Sequence, residues 1–142
     1  MDELKEGFFM KKIVLFIIVL VTAVFATDYY DEHGHRTGRS LTNGTQTNYY
    51  DEHGHRAGRS NQSGNQVKYY DEYGHGMGRS TQNGNQTNFY DEHGHNTGRA
   101  IQDGNTIRYY DEHGRNTGRA KINEDGSVNY YDQHGHRTGR SK

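Results

Sequence analysis

Eight of the ten histidines in this 142-residue chain stand in His-Gly-His triplets: His33 and His35, His53 and His55, His93 and His95, and His134 and His136. Carboxylates come just before them, as Asp31, Asp51 and Asp91 each followed by Glu, and as Asp132 followed by Gln133. Imidazole nitrogen and carboxylate oxygen together suit Zn²⁺, Ni²⁺ or Cu²⁺, and a glycine between two histidines lets the backbone wrap an ion. A metal reading therefore names Asp31, His33, His35, Asp51, His53, His55, Asp91, His93, His95, His134 and His136. Against it, Tyr73 replaces the first histidine of the third cluster and Arg115 the second histidine of the fifth, while the sequence around both is kept. The same residues also describe a solvated turn that keeps a weakly hydrophobic sheet in solution. A third use is electrostatic, because lowering the pH from 7 to 5 adds positive charge to a chain whose formal charge is −1.

Each cluster belongs to a larger unit, Tyr-Tyr-Asp-Glu-His-Gly-His-x-x-Gly-Arg-Ser, which starts at Tyr29, Tyr49, Tyr69, Phe89, Tyr109 and Tyr130. The first five starts are 20 residues apart and the last step is 21. A fixed period of this size marks a small unit stacked on copies of itself. Six near-identical clusters argue against an enzyme, whose pocket needs unlike residues driven to different pKa values. Nor is there a nucleophile elbow, a phosphate-binding glycine loop or a zinc-protease helix, so we expect a non-enzyme. The second recurring charge is Arg39, Arg59, Arg79, Arg99, Arg119 and Arg140. Such a row could track an anionic polymer, but Asp and Glu accompany it in every repeat. We therefore expect Asp–Arg pairing, with no basic patch and no nucleic-acid partner.

Two turn signals per repeat position these groups. Asp-Glu-His-Gly suits a type I turn closed by a glycine of positive φ, and Asn43-Gly44, Ser63-Gly64, Asn83-Gly84, Asp103-Gly104 and Asp125-Gly126 are hairpin dipeptides. Between them lie two short strands per repeat, and no helical period follows Ala26. The expected fold is all-β: six hairpins of about 20 residues, stacked as a solenoid or laid out as a meander, with partial disorder as the alternative. The extra residue of the last period falls within 121–129, where an array absorbs an insertion most easily. With 51–54 as the tight turn, Tyr50 lies opposite Arg56 and stacks on it, and Tyr49 lies opposite Ala57, sharing its face with Asp51, His55 and Arg59. The two tyrosines then point to opposite faces. One aromatic per repeat would align into a ladder, drawn from Tyr29, Tyr30, Tyr49, Tyr50, Tyr69, Tyr70, Phe89, Tyr90, Tyr109, Tyr110, Tyr130 and Tyr131.

The start of the chain indicates where the array works. Lys11 and Lys12 precede an apolar stretch that runs from Ile13 through Phe25 to Ala26, the pattern of a secretory signal peptide. Residues 1–26 are read as that signal, with Met10 as an alternative start, and 27–142 as the array. A spanning helix needs about 20 apolar residues, so no integral membrane span is expected once the signal is removed. The expected location is secreted, periplasmic or at the cell surface. Cysteine is absent, so no disulfide framework is available. From Thr27 onward the large aliphatics are Leu41, Val67, Met77, Ile101, Ile107, Ile122 and Val128 alone. Order must then come from tyrosine.

The period of 20, the Tyr-Tyr-x-x-x-Gly-x-x-x-Gly core and the preceding Asn-Gly turn resemble the choline-binding and glucan-binding cell-wall repeats of Gram-positive surface proteins. They are similar, more loosely, to the tyrosine-aspartate repeats of large secreted bacterial proteins. The resemblance spans 27–142 and implies a β-hairpin array attached to an envelope surface. Cell-wall repeats cage a quaternary ammonium with tryptophan. This chain has no tryptophan, and its arginines follow the second glycine where one would be expected, so choline is not the implied ligand. The function expected is a binding or interaction module at the bacterial envelope or outside the cell, whose partner is an envelope polymer or another protein. Metal binding through the His-Gly-His clusters is one alternative. Self-association into a matrix or coat, through unpaired terminal strands, is the other.

Overall fold

The computed structural model describes residues 25–142. The expected signal peptide lies outside the described residues except for Phe25 and Ala26, which open the first strand. Twelve strands follow in order: β1 (Phe25–Asp31), β2 (Arg36–Asn43), β3 (Gln46–Asp51), β4 (Arg56–Ser63), β5 (Gln66–Asp71), β6 (Gly76–Asn83), β7 (Gln86–Tyr90), β8 (Asn96–Asp103), β9 (Thr106–Asp111), β10 (Asn116–Ile122), β11 (Val128–Asp132) and β12 (Arg137–Ser141). Every neighbour in sequence is an antiparallel neighbour in space, and β1 pairs with β12 to close a barrel. The array is therefore all-β and built of hairpins, but it is neither a solenoid nor a meander. Closure also removes the unpaired terminal strands on which sheet-edge self-association was to depend, since Tyr29 pairs with Ser141 and Tyr30 with Arg140.

A bulge repeated in every hairpin bends the sheet. Tyr50 pairs with Arg56 as expected, but Tyr49 pairs with Gly58, so Ala57 is skipped. The same shift recurs between Tyr69 and Tyr70 and between Phe89 and Tyr90. An extra residue on one strand sharpens twist and curvature. Gly78, with φ of 137°, shows why a glycine follows the bulge: a Cβ there would collide with the carbonyl oxygen of Tyr90.

Alternation puts one aromatic of each pair inside. Tyr29, Tyr49, Tyr69 and Phe89 are buried, and Tyr109 and Tyr130 pack partly buried on the same interior. Each large ring faces small residues on both neighbouring strands, as Tyr49 does with Ser40 and Gly58. Large against small is how a closed barrel fills its interior. The expected ladder is thus a ring of six, with Tyr30, Tyr50, Tyr70, Tyr90, Tyr110 and Tyr131 left on the outer wall.

The inner ring is not uniform. Tyr29, Tyr49, Tyr69 and Tyr130 share hydrogen bonds of 3.0, 3.0, 2.9 and 2.7 Å with Ser40, Ser60, Ser80 and Ser141. In the fourth repeat both hydroxyls are absent, because Phe89 stands where that bond would pair it with Ala100. In the fifth, Tyr109 keeps its hydroxyl while the serine position is Ala120, and the Tyr109 hydroxyl, shut off from solvent, has no partner among the described residues.

Candidate functional site

Closure gathers the six turns 31–35, 51–55, 71–75, 91–95, 111–115 and 132–136, each led by an aspartate, at one rim of the barrel and the Asx-Gly or Ser-Gly turns at the other. Each rim turn is stapled by its first residue. In the first, Asp31 Oδ1 accepts from the backbone amides of His33 (2.9 Å) and His35 (2.8 Å), and Oδ2 lies 3.3 Å from His35 Nδ1. The Gly34 amide donates to the Asp31 carbonyl at 3.2 Å, and the Asp31 amide donates to the His35 carbonyl at 2.9 Å. Gly34 takes φ of 87°, the positive value expected of a glycine closing this turn. The pattern recurs with Asp51, Asp71, Asp91, Asp111 and Asp132. Partial desolvation pushes the Asp31 carboxyl upward, but the amide bonds and the His35 ring outweigh it and hold it below the usual carboxylate range. Asp51, Asp91 and Asp132 behave alike.

The staple explains why two clusters lose a histidine without losing the turn. Arg115 Nε donates to Asp111 Oδ2 at 2.7 Å and so takes the place that His35 Nδ1 holds against Asp31 Oδ2. Tyr73 keeps the ring contact instead: its ring lies 6.2 Å from His75 and tilted 45°, against 6.1 Å and 49° for His33 and His35. The first position of the pair therefore asks for an exposed flat ring and the second for a partner to the aspartate.

For metal binding, the structure brings together pairs rather than shells. His33 and His35, His53 and His55, His93 and His95, and His134 and His136 each stand about 6 Å apart, ring centre to ring centre. Among the described residues, no group of three or more His, Asp or Glu is arranged around a single ion position. The Asp Oδ2 and the second histidine's Nδ1 face each other, while the first histidine's Nε2 lies 3.3–3.5 Å from the neighbouring glutamate in the first, second and fourth turns and 3.3 Å from Gln133 Nε2 in the last.

The arginines depart from expectation. Arg39, Arg59, Arg79, Arg99 and Arg119 lie over Tyr50, Tyr70, Tyr90, Tyr110 and Tyr131, 4.8–5.7 Å from the ring centres. Tyr50 is thus covered by Arg39 of the preceding strand and not by Arg56, although strand pairing sets both opposite it. Arg59 likewise stands on the outer wall and does not share a face with Tyr49. Among the described residues none of these five arginines makes an ion pair; Asp contacts are made by Arg36, Arg108, Arg115 and Arg140. The cause is parity. The turn aspartates are consumed by turn amides and by the side chain four places on, while Arg59, Arg79, Arg99 and Arg119 alternate outward and lean from the wall toward the glycine of the next repeat's rim turn, where they meet rings rather than aspartates. Reading which face each charge occupies, rather than how many occur per repeat, would have separated them.

Comparison of the sequence with known protein families and with characterised proteins finds no match.

Proposed function

We propose that the chain is a non-enzymatic binding module that works outside the cell or at the bacterial envelope, where it engages a polymer or a protein through surfaces repeated around the barrel. The observation that carries this reading is the ring closure, which presents the same turn chemistry six times at one rim and the same stacked arginine along the wall. Repetition of this kind favours multivalent contact with a repeating partner. The wall also supports contact with water or a polar partner rather than lipid. Its outward residues include Arg59, Lys68, Arg79, Asn88 and Arg99, and its strands are five to eight residues long, whereas a barrel strand crossing a bilayer needs about 9–11 and an apolar outer band.

Metal binding remains the second reading, favoured by the paired, exposed imidazoles at the rim. A single molecule offers at most two of these per turn, so an ion of tetrahedral preference would be shared between turns of two molecules. Sedimentation of the purified protein with insoluble cell-envelope material tests the two together. Co-sedimentation that persists in excess chelator supports direct binding, and co-sedimentation abolished by chelator supports the metal reading. A protein that stays in the supernatant under both conditions would sink the proposal.

A further inference from the structure

The outer wall of β4 to β10 carries charge of one sign. Arg59, Lys68, Arg79, Arg99, Arg108 and Arg119 stand on it, and outside the turn residues these seven strands contain no Asp or Glu. Among the described residues only Asp103, at the far rim, reaches one of them, with its Oδ2 3.6 Å from Arg108 Nη1. Two of the pairings set like charges directly opposite one another across the sheet, Lys68 against Arg79 and Arg108 against Arg119. Such pairs cost stability in an antiparallel ladder. A wall that keeps them is under an electrostatic load that an anionic ligand would relieve.

The seam side is different. Asp28 pairs with Arg36 at 3.7 Å, and Asp125 with Arg140 at 3.7 Å. The positive surface is therefore an arc rather than a full belt, and it ends where these two aspartates begin.

We propose that this arc binds a linear acidic polysaccharide carrying one carboxylate per disaccharide. The idea deepens the binding-module reading and rests on it. Three features select the ligand. The guanidinium carbons of Arg59, Arg79 and Arg99 lie over tyrosine rings, 4.8–5.1 Å from the ring centres, so their side-chain freedom is already restricted before they meet a two-oxygen anion. Successive arginines sit two strands apart, about 10 Å at ordinary strand spacing, close to the length of one disaccharide. The faces of Tyr70, Tyr90 and Tyr110 are already covered by guanidinium, so they offer no open platform for stacking bases, which sequence-tolerant single-strand nucleic-acid binders use.

The test is a titration of the purified protein with a hyaluronan oligosaccharide, which carries one carboxylate per disaccharide, and in parallel with an oligo-dT of similar charge. The proposal expects hyaluronan to bind, to weaken as salt rises, and to lose about tenfold or more in affinity in the double variant Arg79→Gln with Arg99→Gln. Arg140→Gln, already tied to Asp125, is expected to bind as the unaltered protein does. Lys68→Gln with Lys121→Gln removes two charges of β5 and β10 that make neither a ring contact nor an ion pair among the described residues, and is expected to weaken binding while the near-ultraviolet circular dichroism of the tyrosines stays unchanged. Unaltered binding in both double variants, or tighter binding of oligo-dT than of hyaluronan, overturns the proposal. Failure with hyaluronan while envelope co-sedimentation persists overturns the arc and leaves the binding module standing; loss of both removes both.

Discussion

The two halves of the barrel interior fill the same space with different chemistry. In the first three repeats each inner ring is a phenol bonded to a serine, and the core around Tyr49, Val67 and Tyr69 is bordered by buried Ser40, Ser60 and Ser80. In the next two repeats the serines have become Ala100 and Ala120, and Phe89, Ile107 and Ile122 join an apolar cluster with Tyr109 and Tyr130. A buried hydroxyl is tolerated when its partner is present and costs when the partner is removed. The fourth repeat changed both members of the pair and is satisfied. The fifth changed one and left the Tyr109 hydroxyl stranded. The unit being kept is thus the cross-strand pair, not the residue.

The broadest way to test the comparison is alkaline pH. Burial raises the Tyr49 phenol to about 12, with the Ser60 bond pulling the other way, and burial pushes Tyr29 and Tyr69 up as well. A group whose folded pKa is raised contributes stability that is fully present below the unfolded value, about 10 for tyrosine, and is lost as pH rises through the folded value. Stability should therefore fall steeply between about pH 10 and 12, with buried phenolates appearing together with unfolding in an absorbance titration. Buried tyrosines that ionise near pH 10 in a still-folded barrel would contradict the packing described.

Truncation comes next. Tyr69→Ala should lower stability by about 3–5 kcal/mol in denaturant unfolding, and Phe89→Ala by a similar amount, since both remove a buried ring. A much smaller loss at Phe89 would mean that the apolar half is loosely packed. Removing only the hydroxyl should then separate the halves. Tyr69→Phe leaves Ser80 unpartnered and should cost about 1–2 kcal/mol, whereas Tyr109→Phe should be neutral or stabilising; equal losses would erase the distinction. The smallest effect has the opposite sign. Ala120→Ser restores the pairing found in four other repeats and should add about 1 kcal/mol, read as a higher denaturant midpoint.

Much of this molecule was legible from local spacing. Two turns per period gave the hairpins, and the Tyr-Tyr dipeptide gave one ring inward and one outward, because strand alternation is a local property. The bulge at Ala57 was not legible. The residues 55–58 read equally well as a regular strand end, and the skipped position depends on how Gly58 approaches the opposite carbonyl. Closure was less legible still, since it is the sum of six equal bends and no single repeat contains it. At the rim, the aspartate's place at the start of its turn was readable, but the role that it shares with His35 or Arg115 was hidden by the attraction of reading two histidines as ligands. The fate of the arginines was missed because acid and base were counted per repeat, while the fold sorts them by face.

The inserted residue near the end repeats the logic of the rim. The loop 123–127 carries the same pair of backbone bonds as 31–35, Asn123 amide to Ser127 carbonyl and Gly126 amide to Asn123 carbonyl, with Asp125 Oδ1 accepting from the Ser127 amide at 2.9 Å. One added residue, together with one drawn from each flanking strand, therefore converts a two-residue turn into a five-residue loop, and the shortened strands still pair in register from Gly118 to Ile122.

Ring closure also makes the repeat number a whole-molecule property. An open array can gain or lose a terminal copy and remain the same object, only longer or shorter. A ring has a circumference, and its copy number is in effect an integer fixed by the angle through which each unit turns. Remove one unit and the seam between the first and last strands must either gape or draw the inner rings into a tighter circle than their volume permits; add one and a hollow opens along the axis. Slippage during copying of such repetitive DNA, which elsewhere produces families of arrays of every length, would here be filtered by geometry toward a single count.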